Sequence, residues 1–395
     1  MVGSTKRYIF TIAHGELSLA EIQHRLTLLH IPCKLISIGE RFVILDIDDL
    51  NRIDLSLGGS FKIGEVYCSG KSVTAITKQL GDSKLLGWLP EKIRWAISYY
   101  SIPDDDESIS NFDGVIAEMI KKGGASKAKR VSPDISDNDI LEISSKKIED
   151  DLFDIILAHD GNEYYLGHTV RVIKSTEFYD RDLKRPFQDS TISIPPRIAR
   201  ILVNLVSLPK HTVLLDPFCG TGTILMEALA LGLDVVGVDL KKIHISGTRE
   251  NLRWFARRMN SGRTDFERRV KVGDARLLQG FDDNSIDGIA TEPILISKLK
   301  KFPEESDAWT MLKKSERTYS QSLQAMNRIL KPGGSISIVT PYIRTKKRMA
   351  SFDFSRIVDE VGLEVNREFR SRFPLFARHS KEQKVIRGIW LLKKP

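Results

Sequence analysis

The chain is 395 residues long, enough for two or three domains, and 41% hydrophobic residues supply apolar material for more than one core. No apolar run approaches the roughly 18 residues of a membrane span, and Cys33, Cys68 and Cys219 lie far apart without CxxC or paired Cys/His spacing, which excludes a disulfide scaffold and any zinc site legible in the sequence. Sixty basic against 52 acidic side chains leave a charge of +8, an excess that suits a polyanionic partner without requiring one. The expectation is a cytoplasmic protein with no metal and no membrane.

Residues 1–75 alternate apolar and polar in short runs such as 41–47 and 60–66, and the start of the chain reads as a first strand, not as a signal peptide. Between strand-like runs, Leu17, Leu19, Ile22, Leu26 and Leu29 recur at helical spacing, giving a small α+β module. Residues 76–172 continue in that style. A strand over Ile93–Tyr100 precedes an acidic loop at 104–107, and a helix over Phe112–Lys122 ends at Gly123-Gly124. The basic residues Lys121, Lys122, Lys127, Lys129 and Arg130 surround that turn. After a helical stretch near 144–149, segments 154–158 and 164–170 form a hairpin turning on Asp160-Gly161-Asn162. Residues 173–197 are a linker, where Arg181-Asp182-Leu183-Lys184-Arg185-Pro186-Phe187 and Pro195-Pro196 argue against regular structure. From Ile198 to the end, long helices alternate with short strands at 211–216, 233–238, 269–273, 286–291, 335–340, 363–369 and 385–392, the pattern of a doubly wound α/β domain.

The strongest local signal is Val213-Leu214-Leu215-Asp216-Pro217-Phe218-Cys219-Gly220-Thr221-Gly222-Thr223, a strand ending in an acid and a Gly-x-Gly turn that opens a helix over Ile224–Leu231. Such a turn lets backbone approach a ligand at the carboxyl edge of the sheet. Asp239 ends the next strand, where a carboxylate takes the hydroxyls of a ribose, and Gly273-Asp274-Ala275 ends the third and offers an acceptor to an adenine amine. Three acids at successive strand ends suit a nucleoside with a cationic tail. A pyrophosphate cradle would want G-x-G-x-x-G, and an acid at the start of the turn would repel it.

Asp-Pro-Phe-x-Gly-Thr-Gly resembles motif I of the S-adenosylmethionine-dependent methyltransferases over 211–276. That resemblance implies S-adenosylmethionine as cofactor, with Asp216, Phe218, Gly220, Thr221, Gly222 and Thr223 around its methionine part, Asp239 and Leu240 at the ribose, and Asp274 and Ala275 at the adenine. Arg181-Asp182-x-x-Arg185-Pro186-Phe187, the segment 196–205, Leu57-Gly58-Gly59-Ser60-Phe61-Lys62-Ile63 and Tyr164-Tyr165-Leu166-Gly167 resemble THUMP-domain tRNA (guanine-N2) methyltransferases. The family implies an α/β fold in which a Rossmann-type methyltransferase domain (198–395) follows α+β ferredoxin-like (1–75) and THUMP (76–172) domains. It also implies tRNA as partner, with the basic residues around Gly123-Gly124 as RNA contacts, and a reaction at the exocyclic N2 of a guanosine at position 10.

Amino-group methyltransferases place Asp/Asn-Pro-Pro-aromatic after the fourth strand, so that a side-chain oxygen and a backbone carbonyl accept the two N–H bonds of the amine while the ring stacks on the base. Here the segment is Glu292-Pro293-Ile294-Leu295. Glu292 and Pro293 are the candidate catalytic pair, and Ile294 and Leu295 the candidate base contacts. The extra methylene of Glu292 moves its oxygen by about one bond length, and a shift of about 1 Å costs about 10²-fold in rate. Three readings stay open: guanine-N2 methylation with an altered motif, methylation of another RNA position or acceptor, or an inactive tRNA-binding protein. Tyr319 or Tyr342 either replaces the missing aromatic ring or is plain packing, and Cys219 is packing rather than a nucleophile.

Overall fold

The computed structural model describes residues 5–395 except 49, 51–54, 82–88, 104–108, 110, 133, 136–140, 143–151, 190–192, 261–264, 294–295, 297–298, 300 and 369–372. The predicted acidic loop at 104–107 and helical stretch at 144–149 lie outside the described residues.

In chain order the first half forms β1 (Lys6–Ile12), α1 (Glu16–Leu28), β2 (Cys33–Ile38), β3 (Phe42–Ile47), β4 (Ser60–Gly70), α2 (Val73–Gly81), β5 (Lys92–Tyr100), α3 (Phe112–Lys122), β6 (Lys127–Arg130), β7 (Asp134–Ile135), β8 (Leu141–Glu142), β9 (Leu152–His159) and β10 (Tyr164–Val172). The second half forms α4 (Ser175–Leu183), α5 (Pro196–Val206), β11 (Val213–Asp216), α6 (Thr223–Ala230), β12 (Asp234–Asp239), α7 (Lys242–Arg258), α8 (Phe266–Arg269), β13 (Val270–Val272), β14 (Ile286–Thr291), α9 (Glu305–Ile329), β15 (Leu330–Arg344), β16 (Met349–Ala350), α10 (Phe354–Val361), β17 (Glu364–Val365), β18 (Leu375–Phe376) and β19 (Val385–Lys393).

The chain divides into two compact units, one of residues 1–15, 30–54 and 60–176 and the other of 16–29, 55–59 and 177–395. In the first, eight strands from both 1–75 and 76–172 share one sheet in the order β2-β3-β1-β4-β10-β9-β5-β6. The hairpin expected around Asp160-Gly161-Asn162 is β9–β10, and the Asp160 carboxylate closes its turn by accepting from Asn162 and Glu163 N–H at 2.8 Å. Ile76 and Leu80 of α2 and Phe112, Ile116 and Ile120 of α3 pack against Ile93, Ile97, Ile155 and Leu157 of the sheet. Inside the sheet Lys62 and Asp154 form a fully buried ion pair at 3.0 Å, and the hydroxyls of Ser98 and Thr169 donate to the same carboxylate. A buried charge is tolerated when it is paired and hydrogen-bonded in this way.

The second unit is built on a nine-stranded sheet whose main path runs β13-β12-β11-β14-β15-β19-β17. β11 through β15 are parallel and β19 inserts antiparallel beside β15, with Ile338 opposite Trp390. Ile201, Leu202, Leu225 and Leu252 from α5, α6 and α7 belong to one core, and Leu312, Leu323, Met326 and Ile357 from α9 and α10 to the other. This is the doubly wound arrangement, with its crevice at the carboxyl ends of the strands where the order turns between β11 and β14.

Two details differ from the sequence reading. Helix α1, grouped by its spacing with residues 1–75, belongs to the second unit by its contacts. Buried Glu21 accepts the N–H groups of Gly58 and Gly59 and the Asn204 side-chain amide of α5 at 2.6–2.8 Å. The linker is partly helical: α4 carries Arg181, and Pro196 is the first residue of α5, where proline lacks only a hydrogen bond the helix could not make. What holds α4 is tertiary. Arg181 and Arg200 both donate to the buried carboxylate of Glu227 in α6, so propensity alone would not have revealed it.

Candidate active site

The strand ends place the loops after β11, β12, β13 and β14 around one cavity of about 760 Å³, within the range of ligand sites. Phe218 and Gly220 line it from the first loop, Asp239 and Leu240 from the second, Asp274 and Ala275 from the third, and Glu292 and Pro293 from the fourth. Asp216, Thr221, Gly222 and Thr223 are not on the cavity wall. Asp216, Thr221 and Thr223 are buried, and Thr223 opens α6. Ile294 and Leu295 lie outside the described residues, and beside them Ile296 and Leu299 give the cavity an apolar wall.

The turn after β11 is held from outside. Gly222 has φ +80°, a conformation that side chains avoid, and a Cβ there would stand 2.8 Å from Thr248. The Thr248 hydroxyl donates to the Gly220 carbonyl at 2.7 Å and the Asn251 amide to that of Thr221 at 2.8 Å. Arg185 donates to the Thr223 hydroxyl at 2.6 Å. Asn251 also exchanges hydrogen bonds with the backbone of Phe187, whose ring lies against Gly247. Thus the Arg185-Pro186-Phe187 segment acts as a brace for the turn. The signal was present in the sequence: His244, Thr248 and Asn251 form one polar, buried stripe of α7 at helical spacing.

Each acid has its own environment. Asp216 is 1% exposed, and its carboxylate accepts from the Thr291 hydroxyl at 2.7 Å and from Phe218 N–H at 3.1 Å. Burial pushes its pKa up to about 7, against those two hydrogen bonds, and the neighbouring charges of Asp239 and Glu292 add to the rise. Asp239 accepts from Gly220 N–H, Lys241 N–H and His244 Nδ1 at 2.9–3.1 Å. Asp274 faces its own chain: Arg276 engages both carboxylate oxygens and holds its pKa below the usual range. Glu292, its side chain 10% exposed, receives Nε–H of Arg387 at 2.5 Å and Nη2–H at 3.4 Å. Burial pushes the Glu292 carboxyl up while Arg387 opposes that rise. Arg387, in β19, was missed in the sequence because it lies 95 positions from its partner and belongs to no motif.

Neither tyrosine supplies the missing ring. Tyr319 is 2% exposed, donates to the Val339 carbonyl, and packs among Phe352 and Phe354. Tyr342 packs edge-on against Phe376. Cys219 is buried and belongs to the core around α6. The basic residues of the first unit are exposed on α3 and β6; Lys127 pairs with Glu91, and Arg130 pairs with Asp113 and lies over Trp95. Among the described residues no cluster of His, Cys, Asp or Glu could hold a metal ion, and no described helix is long and apolar enough to cross a membrane.

A mostly parallel sheet in this order, with a cavity at its carboxyl edge and a Gly-x-Gly turn beside it, has the fold of a Rossmann-like methyltransferase domain. Residues 183–362 match the family described as RMKL-like, methyltransferase domain, and residues 103–250 match one described as DNA methylase. The chain is 30% identical over 321 residues to a tRNA (guanine(10)-N2)-dimethyltransferase of Methanothermobacter thermautotrophicus, covering 78% of this chain and 84% of that protein. It is also 30% identical over 220 residues to the Pyrococcus abyssi protein of the same name, a match that spans 55% of this chain and 57% of the relative. In fold it is similar to TrmN from Thermus thermophilus, with TM-score 0.54 and 16% identity over 98% of this chain and all of that one. The chain belongs to the tRNA (guanine(10)-N2)-dimethyltransferase family, and its cofactor is S-adenosylmethionine. The residues present fit that group: Asp239 and Asp274 line the cavity with the turn at Phe218 and Gly220, and buried Asp216 is hydrogen-bonded to that turn, carboxylates that suit a nucleoside with a cationic tail.

Proposed function

We propose that this protein methylates the exocyclic N2 of a guanosine in tRNA, at position 10 as in the names of its relatives. The observation that carries the reading is the position of Glu292 and Pro293 at the end of β14, on the cavity that Asp239 and the turn after β11 also line. S-adenosylmethionine supplies an activated methyl group, held by Asp239 and Leu240 at its ribose, Ala275 and Asp274 at its adenine, and Phe218–Thr223 with Asp216 at its charged end. Glu292 accepts one N–H of the guanine amine and the Pro293 carbonyl accepts the other. Both hydrogen bonds lie in the plane of the base and leave the nitrogen lone pair free above it. Ile296 and Leu299 cover the base face. A stacked guanine cannot reach a cavity of this kind, so the nucleotide flips out of its helix.

The RNA platform in this reading is the N-terminal half, a ferredoxin-like module at 1–75 and a THUMP domain at 76–172, joined by 173–197 to the catalytic domain at 198–395. Lys121, Lys122, Lys127, Lys129 and Arg130 contact phosphates, consistent with their exposure and the chain's net charge of +8. The deciding experiment is transfer of labelled methyl from S-adenosylmethionine to unmodified tRNA, with nucleoside analysis. N2-methylated guanosine at position 10 is the expected product; another methylated nucleoside, or tRNA binding with no transfer, overturns the reading.

A further inference from the structure

We propose that Arg387 reads the O6 of the target guanine, so that Glu292 and Arg387 together recognise the Watson–Crick edge of that base. The inference rests on the proposed guanine-N2 reaction and adds the group that selects the base.

Arg387 reaches the cavity from β19, where it stands opposite Pro341 of β15. Its Nε–H and one Nη2–H go to the Glu292 carboxylate. A guanidinium has five N–H donors in a fixed plane, so three remain for other acceptors. The side chain is 21% exposed and forms part of the cavity wall. The pair therefore presents, side by side, two carboxylate oxygens that accept and a guanidinium edge that donates. Guanine offers the complement in order: the N2 amine and N1–H donate, and O6 accepts. With one Glu292 oxygen shared by N2–H and N1–H outside the ion pair, O6 falls on the Arg387 side. Adenine offers a lone pair at N1 and a donor at N6, so its amine would meet the guanidinium and its ring nitrogen the carboxylate. A site built to hydrogen-bond its substrate rejects an analogue that leaves its buried polar groups unpaired.

The test replaces the methylated guanosine in the tRNA by 2-aminopurine, which keeps the N2 amine and lacks both O6 and N1–H, and compares kcat/KM for the two substrates. The wild type is expected to prefer guanosine by about 10- to 100-fold, the discrimination of one good bidentate contact. Arg387→Met is expected to lower turnover of both bases, because Glu292 loses the cation that fixes it, but to lower guanosine further, so that the preference shrinks by the share that O6 contributes. Arg387→Lys keeps the charge beside Glu292 but not the fork, and is expected to fall between. Equal use of both bases by the wild type, or a preference in Arg387→Met as large as that of the wild type, overturns the proposal. Should Arg387→Met lose its fold, seen as loss of S-adenosylhomocysteine binding, the wild type decides alone with 6-thioguanosine, which keeps N1–H but has a poor acceptor at position 6: a several-fold loss supports the contact and undiminished turnover overturns it. A wild type that methylates no guanosine in tRNA fails the reaction itself, a result distinct from a failure of base selection.

Discussion

Cofactor affinity should depend on the protonation of Asp216. Its carboxyl is held with a pKa of about 7, chiefly by burial, with the charges of Asp239 and Glu292 contributing to that rise. A cationic ligand in the cavity is attracted only by the ionised form. With a midpoint near 7, the ionised fraction rises from about a tenth at pH 6 to about nine tenths at pH 8, so affinity for S-adenosylmethionine should rise by about tenfold across that window. S-adenosylhomocysteine, which lacks the sulfonium charge, should show a smaller rise. Isothermal titration at pH 6, 7 and 8 measures both. Asp216→Asn keeps an acceptor for Phe218 N–H and should flatten the dependence, whereas Glu292→Gln should shift its midpoint down while leaving the rise in place. The same proton has a signature in stability. The folded carboxyl keeps its proton up to about 7 and the unfolded one releases it near the usual 3.8, so the contribution of this group to stability is greatest at low pH and falls as pH rises between those values. An Asp216→Asn protein with the same tenfold rise refutes the reasoning.

Other perturbations test the scaffold. Glu227→Ala strips the buried guanidinium groups of Arg181 and Arg200 of their shared partner and should cost about 3–5 kcal/mol in urea unfolding. Gly247→Ala would set a Cβ 2.1 Å from the Phe187 ring, expel that ring from its seat, and cost about 1–3 kcal/mol in thermal melts; in a Phe187→Ala background the same change should cost far less. In the first unit, Lys62→Met leaves Asp154 buried without its cation and should cost about 3–5 kcal/mol, while Lys62→Met with Asp154→Leu should recover much of that loss in the same assay.

What the sequence discloses here is what is local. The acid that ends β11, the turn after it, Asp239 at the end of β12 and Glu292 after β14 were each legible, because strand ends, turns and helix starts are encoded in neighbouring residues. The hairpin at 152–172 and the helix Phe112–Lys122 were legible for the same reason. Pairings across long separations were not. β10 joins β4 with Leu166 opposite Cys68, and Glu21 meets Asn204 across 183 positions, contacts that no period or turn residue announces. The linker misled in the opposite direction. Its prolines pointed to irregular chain, yet a charged helix forms there because Arg181 is drawn into the carboxylate of Glu227.

Glu292, the first residue after β14, is held by Arg387 of the last strand. A carboxylate lengthened by one methylene reaches farther and is less well fixed, and burial in this cavity favours its protonated form. In the proposed reaction the guanine amine needs a carboxylate that is both ionised and fixed in direction. The Arg387 guanidinium acts on both requirements. Its two hydrogen bonds fix the plane and direction of the carboxylate, and its charge opposes the rise in pKa that burial imposes. If Glu292 is the acceptor proposed above, its cation comes from the last strand, and β19 is part of the site.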